Sequence, residues 1–402
     1  MTPGPGLQRT LLPKGFFASG VNTGVRRYRP DMGMIFSDVP ATAAGVFTTN
    51  SCAAAAVHYS KALLPSKTMR AILTNSGQAN AATGEQGVKD NLAMVTAAAE
   101  ALQISPNDIL VASTGVIGKP LDLEKILPGM PELAARMTDV TENFALAILT
   151  TDLVPKSMTT MVALSTGVVR LTGISKGSGM IHPNMATTLG YLLTDAQIEP
   201  GMAQMMLKET VDASFNMISV DGDTSTNDCV FMMANGASGV SLAQQNDIQT
   251  FKKALLDVAQ FLAQSIAADG EGATKLVEVE VRGLPDLELA RTAARAVTMS
   301  PLVKTAIHGE DPNWGRILAK LGTVGIPAGA FREMNLSIQG KEIFKNGAPI
   351  AFDREEVRKQ LRLSKIRIEV DFCFGGGSGG HRATAWGCDL SKKYVDINTE
   401  YS

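Results

Sequence analysis

Aromatic side chains are scarce in this chain, making up 5% of its 402 residues. A core with so few large rings has to be filled by small and flexible apolar side chains, and alanine, glycine and methionine are plentiful. Cysteine is rarer still. Cys52, Cys229, Cys373 and Cys388 stand far apart with no CxxC pair, so buried reduced thiols are expected. Cys373, His381 and Cys388 fall near one another, but their spacing matches no zinc pattern. Excess charge is also missing. A net charge of -2 gives no electrostatic case for nucleic acid or an anionic membrane surface. No apolar run reaches about 18 residues, which argues against a membrane span. The segment Met1 to Leu12 carries only Arg9 as charge and has no apolar run of signal-peptide length. The chain reads as cytoplasmic.

Repeats, low-complexity linkers and charge runs are absent as well, so organisation must come from periodicity. Runs such as Gly33 to Asp38 and Ala44 to Thr48 give the first 60 residues a β-rich character. Helical spacing predicts a helix over Gly87 to Ala101 and another from Thr250 to Ala268, the second stopped by Asp269-Gly270 as a glycine C-cap. A helix with Pro200 in its first turn is expected, where a missing N–H does no harm. Met158 to Ile174 reads as strands. Val277 to Val281 and Ile366 to Phe372 alternate apolar with charged, the pattern of half-buried strands. Helices and strands mix throughout, giving an α/β class with antiparallel character.

The most informative stretch is Lys176 to Gly190, KGSGMIHPNMATTLG. A glycine-rich turn and Pro183 lead into an apolar strand that begins at a small residue, Ala186, and then a hydroxyl residue, Thr187. That order suits self-cleavage: the Thr187 hydroxyl attacks the Ala186 carbonyl, and hydrolysis of the ester frees Thr187 as a new N-terminus. Its α-amine, with a reference pKa of about 7.7–8.0, can act as base for its own hydroxyl. Taken alone, the same residues also fit an ordinary strand that starts with two threonines.

Further segments join this one in order: Asn75 to Ala81 (NSGQANA), Ala112 to Gly118 (ASTGVIG), Thr150-Thr151-Asp152 and Ser219 to Asp228 (SVDGDTSTND). Downstream come Asp269 to Lys275 (DGEGATK), His308 to Arg316 (HGEDPNWGR) and the tail Asn398 to Ser402 (NTEYS). Together they resemble the ornithine acetyltransferase family, also called glutamate N-acetyltransferase, of bacterial arginine biosynthesis. The resemblance implies a two-domain α/β sandwich of sheets covered by helices, of the self-cleaving type with an N-terminal nucleophile. It implies cleavage between Ala186 and Thr187, giving fragments 1–186 and 187–402 that assemble as two copies of each. Thr187 is then the nucleophile, Thr114 and Gly115 the oxyanion hole, and Thr150, Lys176, Thr187, Glu271, Asn398 and Ser402 the substrate contacts. The implied substrates are N-acetylornithine and glutamate, with no metal or cofactor, and some family members also accept acetyl-CoA. A self-processed aminopeptidase or amidohydrolase of related fold is the alternative.

Charge chemistry suggests that Lys176 holds a carboxylate and Glu271 the cationic amine of ornithine. Read without the resemblance, Ser113-Thr114-Gly115 is a turn, Lys176 a solvated charge and Glu271 a loop carboxylate. This chain has Thr188 where relatives usually carry methionine, and its threonines Thr150 and Thr151 are hard to tell apart. Two other motifs are set aside. Gly375 to Gly380 satisfies GxGxxG, but His381 to Gly387 reads as a strand where that fingerprint needs a helix. His308, Glu310 and Asp311 do not share a helical face, and Asp221, Asp223 and Asp228 lack the terminal glutamate of a calcium loop.

Overall fold

The computed structural model describes residues 10–182, 188–373 and 380–399. The chain forms two compact units. One is built from the described residues of Met1–Gly177, Pro183–Asn216 and Thr224–Leu262, the other from Ser178–His182, Met217–Asp223 and Ala263–Ser402.

The first unit is organised by an eight-stranded mixed sheet. From edge to edge it runs Ile109–Val116, Ser66–Gln78, Met32–Phe47, Cys229–Ala234, Leu189–Thr194, Gly167–Lys176 and Lys156–Leu164, with Phe16–Val21 also on Met32–Phe47. Leu189–Thr194 and Cys229–Ala234 are buried along their whole lengths, as continuous apolar runs in central strands should be. They pair parallel, while Gly167–Lys176 joins Leu189–Thr194 antiparallel. Few aromatics are present, and several of them concentrate here: Phe144 meets Tyr191 edge to face at 4.9 Å. The buried Tyr191 hydroxyl is satisfied by Thr74 Oγ1 at 2.9 Å. The helix Gly84–Leu102 covers the expected span, and Pro200 opens the helix Pro200–Asp212.

The second unit carries a seven-stranded sheet ordered Ala348–Pro349, Lys341–Lys345, Asn335–Ile338, Lys365–Asp371, Leu276–Leu284, His381–Cys388 and Ile218–Ser219. Both alternating segments are strands with one wet face. Val277, Val279 and Val281 are buried, while Glu278 pairs with Lys365 at 2.9 Å across the parallel ladder. His381–Cys388 is a strand, and most of the GxGxxG loop before it lies outside the described residues.

Two sequence expectations need correction. The helix Gln245–Ala268 stops where expected, yet Gly270 has no left-handed φ. Its glycine answers crowding instead, since a Cβ there would stand 2.8 Å from Cys388 Sγ. The cysteines are not uniformly buried: Cys229 and Cys388 are, but Cys373 is half-buried and Cys52 exposed. Among the described residues no helix is long and apolar enough to cross a membrane.

Candidate active site

Lys176 ends the strand Gly167–Lys176 and is 8% exposed, so it is not the solvated charge a glycine-rich turn suggests. Its Nζ donates to Thr114 Oγ1 at 3.1 Å and to Thr150 Oγ1 at 2.9 Å. Both hydroxyl oxygens therefore act as acceptors toward the ammonium. Each keeps its own hydrogen to donate elsewhere, polarised by a cation. The contact also distinguishes Thr150 from Thr151.

Thr114 and Gly115 lie at the end of Ile109–Val116, parallel to Ser66–Gln78 with Gly115 opposite Gly77. The Gly115 φ is +131°, and a Cβ there would stand 2.2 Å from the Gly77 carbonyl carbon. Only glycine fits. The strands cross this closely where the register slips at Gln78.

Asp152 holds the neighbouring backbone. Its carboxylate pairs with Lys156 at 2.8 Å, accepts the Gly177 N–H at 2.7 Å and accepts the Thr150 N–H at 3.1 Å. Burial pushes this carboxyl up, but Lys176, Lys156 and the Gly177 N–H outweigh it and hold it at about 2. Arg26 donates to the Leu149 carbonyl, and Arg29 to that of Asp152 at 3.3 Å, so the loop is tied from a second side. Asp228 is the opposite case. Burial pushes its carboxyl well above the usual range against the Ser225 hydrogen bonds and the Lys176 charge. Its Oδ2 has no hydrogen-bond partner among the described residues.

Ala186 and Thr187 lie outside the described residues, as does Ser402. Thr188 follows directly. Its hydroxyl is buried and donates to the Lys176 carbonyl, while its carbonyl accepts the Cys229 N–H at 3.0 Å. That hydroxyl is committed to holding the strand.

In the second unit, Glu271 and Asn398 are brought together. Asn398 Nδ2 donates to Glu271 Oε2 at 2.8 Å, from the helix Lys392–Thr399. Glu271 is 9% exposed, and its N–H donates to the Ser178 carbonyl at 3.0 Å. Gly179 gives the carboxylate its room, since a Cβ there would stand 2.3 Å from Glu271 Cδ. Tyr394, one turn before Asn398, is pushed up to about 12 by burial and by Asp221 and Glu271.

The motifs set aside are engaged locally. His308 Nδ1 meets Asp389 Oδ2 at 2.7 Å, Glu310 pairs with Arg362 at 3.0 Å, and Asp311 with Arg354 at 2.6 Å. Asp221 caps backbone, accepting the Met180 N–H at 2.6 Å and the Ile181 N–H at 2.9 Å. No cluster of three or more His, Cys, Asp or Glu suited to a metal occurs among the described residues.

Residues 17–402 match the ArgJ family. The chain belongs to the ArgJ family. This ArgJ-family chain is 47% identical to the Sorghum bicolor "Arginine biosynthesis bifunctional protein ArgJ, chloroplastic" over 97% of its own length and 86% of the relative's. It is 45% identical to the Thermotoga neapolitana "Arginine biosynthesis bifunctional protein ArgJ" over 97% of itself and 99% of that protein. Among solved structures it is similar to arginine biosynthesis bifunctional protein ArgJ from Bacillus halodurans, with 40% identity and a TM-score of 0.51. That match covers 54% of this chain and 100% of the solved one.

Sequence reading missed Asp152 as a holder of the site. Its partners Lys156, Gly177 and the Thr150 N–H become visible only once the loop is folded. A hint was available, because a carboxylate between two threonines and a lysine four residues on suggests a buried pair.

Proposed function

We propose that this chain transfers an acetyl group from N2-acetylornithine to glutamate in the cytoplasm, through an acetyl-enzyme on Thr187. It first cuts itself between Ala186 and Thr187, and the fragments 1–186 and 187–402 stay together, two copies of each per assembly. The Thr187 α-amine then takes the hydroxyl proton as Oγ attacks the acetyl carbon. The amide C–N bond breaks, the proton passes to the leaving nitrogen, and ornithine departs. In the second half the glutamate amine attacks the ester carbonyl, the C–O bond breaks, and the proton returns to Thr187. No cofactor is needed. The name "bifunctional" carried by the relatives supports a second acyl donor, for which we propose acetyl-CoA.

The observation that carries this reading is the Lys176 ammonium on the Thr114 hydroxyl at 3.1 Å. With its oxygen occupied as acceptor, Thr114 is left to donate to the oxyanion of a tetrahedral intermediate, beside the Gly115 N–H. Thr150 and Lys176 contact substrate from the same unit. Glu271, oriented by Asn398, takes the cationic amine of ornithine, and Ser402 completes the substrate contacts.

Thr187→Ala tests the assignment. The variant should run as one uncut chain on denaturing electrophoresis and transfer no acetyl group. A cut, active variant overturns the proposal. In the parent enzyme, release of ornithine should depend on added glutamate. Equal release in buffer alone favours the amidohydrolase alternative.

A further inference from the structure

The segment Ser219 to Asp228 contains a side chain that none of the chemistry above uses. Asn227 is 5% exposed and precedes the central strand Cys229–Ala234. Its amide nitrogen donates to the Ala79 carbonyl at 2.5 Å and to the Ser113 carbonyl at 2.9 Å. Both amide hydrogens are thereby used, on acceptors more than a hundred residues away in sequence. The other end of the side chain is equally fixed. Asn227 Oδ1 accepts from the Thr226 hydroxyl at 2.6 Å, and the Asn227 N–H donates to Ser225 Oγ at 3.1 Å. The Thr226 carbonyl in turn accepts the Ala54 N–H at 2.9 Å.

The two carbonyls it holds are significant. Ser113 C=O belongs to the peptide that continues into Thr114, so fixing it sets the plane from which the Thr114 side chain departs. Ala79 follows Gln78, at the register slip where Gly77 and Gly115 approach too closely for any side chain. The Ala79 N–H also donates to the Val116 carbonyl at 3.0 Å. Asn227 therefore spans the ends of two parallel strands at the point where they pinch. Lys176 bonds Thr114 at its hydroxyl, and Asn227 bonds the peptide before it. A single buried amide is well suited to this, having two donors in one plane and no charge to desolvate.

We propose that Asn227 is a positioning residue for acyl transfer, holding the Ser113–Thr114 peptide so that Thr114 and Gly115 face the carbonyl under attack. This rests on the oxyanion role given to those two residues under the proposed function.

The test is a double-mutant cycle between Asn227 and Thr114 on the full chain, with acetyl transfer measured in steady state. Asn227→Asp keeps the volume and the acceptor but loses both donors, and Asn227→Ser serves as a second variant should the first not fold. Either should lower kcat by about a hundredfold, the scale for a catalytic group displaced by about an ångström. KM should stay within about twofold, because uniform substrate binding is not what the clamp supplies. Combined with Thr114→Ala, the Asn227 variants should lower kcat by much less than the product of the two separate effects, the remaining loss being that of the Gly115 N–H. Full multiplication of the two effects overturns the proposal and leaves Asn227 a packing residue. If Thr114→Ala alone keeps parental kcat, the oxyanion reading fails instead, and the two failures are distinguished.

Discussion

Asp152 and Lys156 form an ion pair of 2.8 Å whose side chains are 0% and 1% exposed. Two desolvated charges so placed contribute little net stability when intact, but removing one strands the other. Asp152→Ala should therefore cost about 3–5 kcal/mol in denaturant unfolding. The parent should also show an acid signature. The folded carboxyl ionises at about 2 against an ordinary 3.8, so its contribution is complete above pH 3.8 and is lost as pH falls toward 2. That contribution is about 2 kcal/mol. Unfolding midpoints of the parent from pH 5 to pH 2 that match those of Asp152→Asn would show the pair absent.

Lys176→Met separates two roles for one ammonium. As a substrate contact alone, Lys176 would affect KM. Bonded to the hydroxyls of Thr114 and Thr150, it polarises the proposed oxyanion donor, so its loss should fall mainly on kcat. The expected drop is about a hundredfold, the usual scale for disabling one such donor. An unchanged kcat with a raised KM would leave Lys176 only the carboxylate-binding role that the sequence suggests.

The sequence was most legible where periodicity or local chemistry decides structure. Leu189–Thr194 is mostly apolar and is a central strand, buried along its whole length. The valines of Leu276–Leu284 alternate with glutamates and are its buried face. Legibility failed where a residue's role depends on a distant partner. Gly270 reads as a cap because it follows a helix, but the Cys388 sulfur explains it. Asp152 and Asn227 are ordinary polar residues until folding delivers a buried lysine to one and the Ser113 carbonyl to the other. The helix that carries Asn398 has no buried residue, hence no apolar stripe to read.

Gly115 and Gly179 should respond differently to the same methyl group. At Gly115 the added Cβ would meet Gly77 backbone at 2.2 Å with φ at +131°, and neither can yield. Gly115→Ala should lose about 2–5 kcal/mol of stability, combining backbone strain with overpacking. At Gly179 the Cβ would meet the Glu271 carboxylate, the end of a flexible side chain. Gly179→Ala should keep its melting temperature within a few degrees while raising KM for the amino-acid substrate about tenfold, since Glu271, the proposed contact to the substrate amine, must turn away. Equal stability losses at both positions would show that Glu271 cannot move.

Asp228 carries the reverse pH signature to Asp152. Its carboxyl is raised well above the ordinary 3.8, chiefly by burial, so the folded state prefers the neutral acid. Above pH 3.8 the unfolded chain ionises this group more readily than the folded one, and stability is lost progressively as pH rises. Asn is a neutral acceptor of nearly the same shape and removes that dependence. Asp228→Asn should be at least as stable as the parent at pH 7, with its advantage growing as pH rises above 3.8 in thermal melts. Ser225 still has an oxygen to bond, and Oδ2, already without a partner, loses none. A variant less stable than the parent across that range would mean that Asp228 is ionised in the fold, with the Lys176 charge outweighing burial.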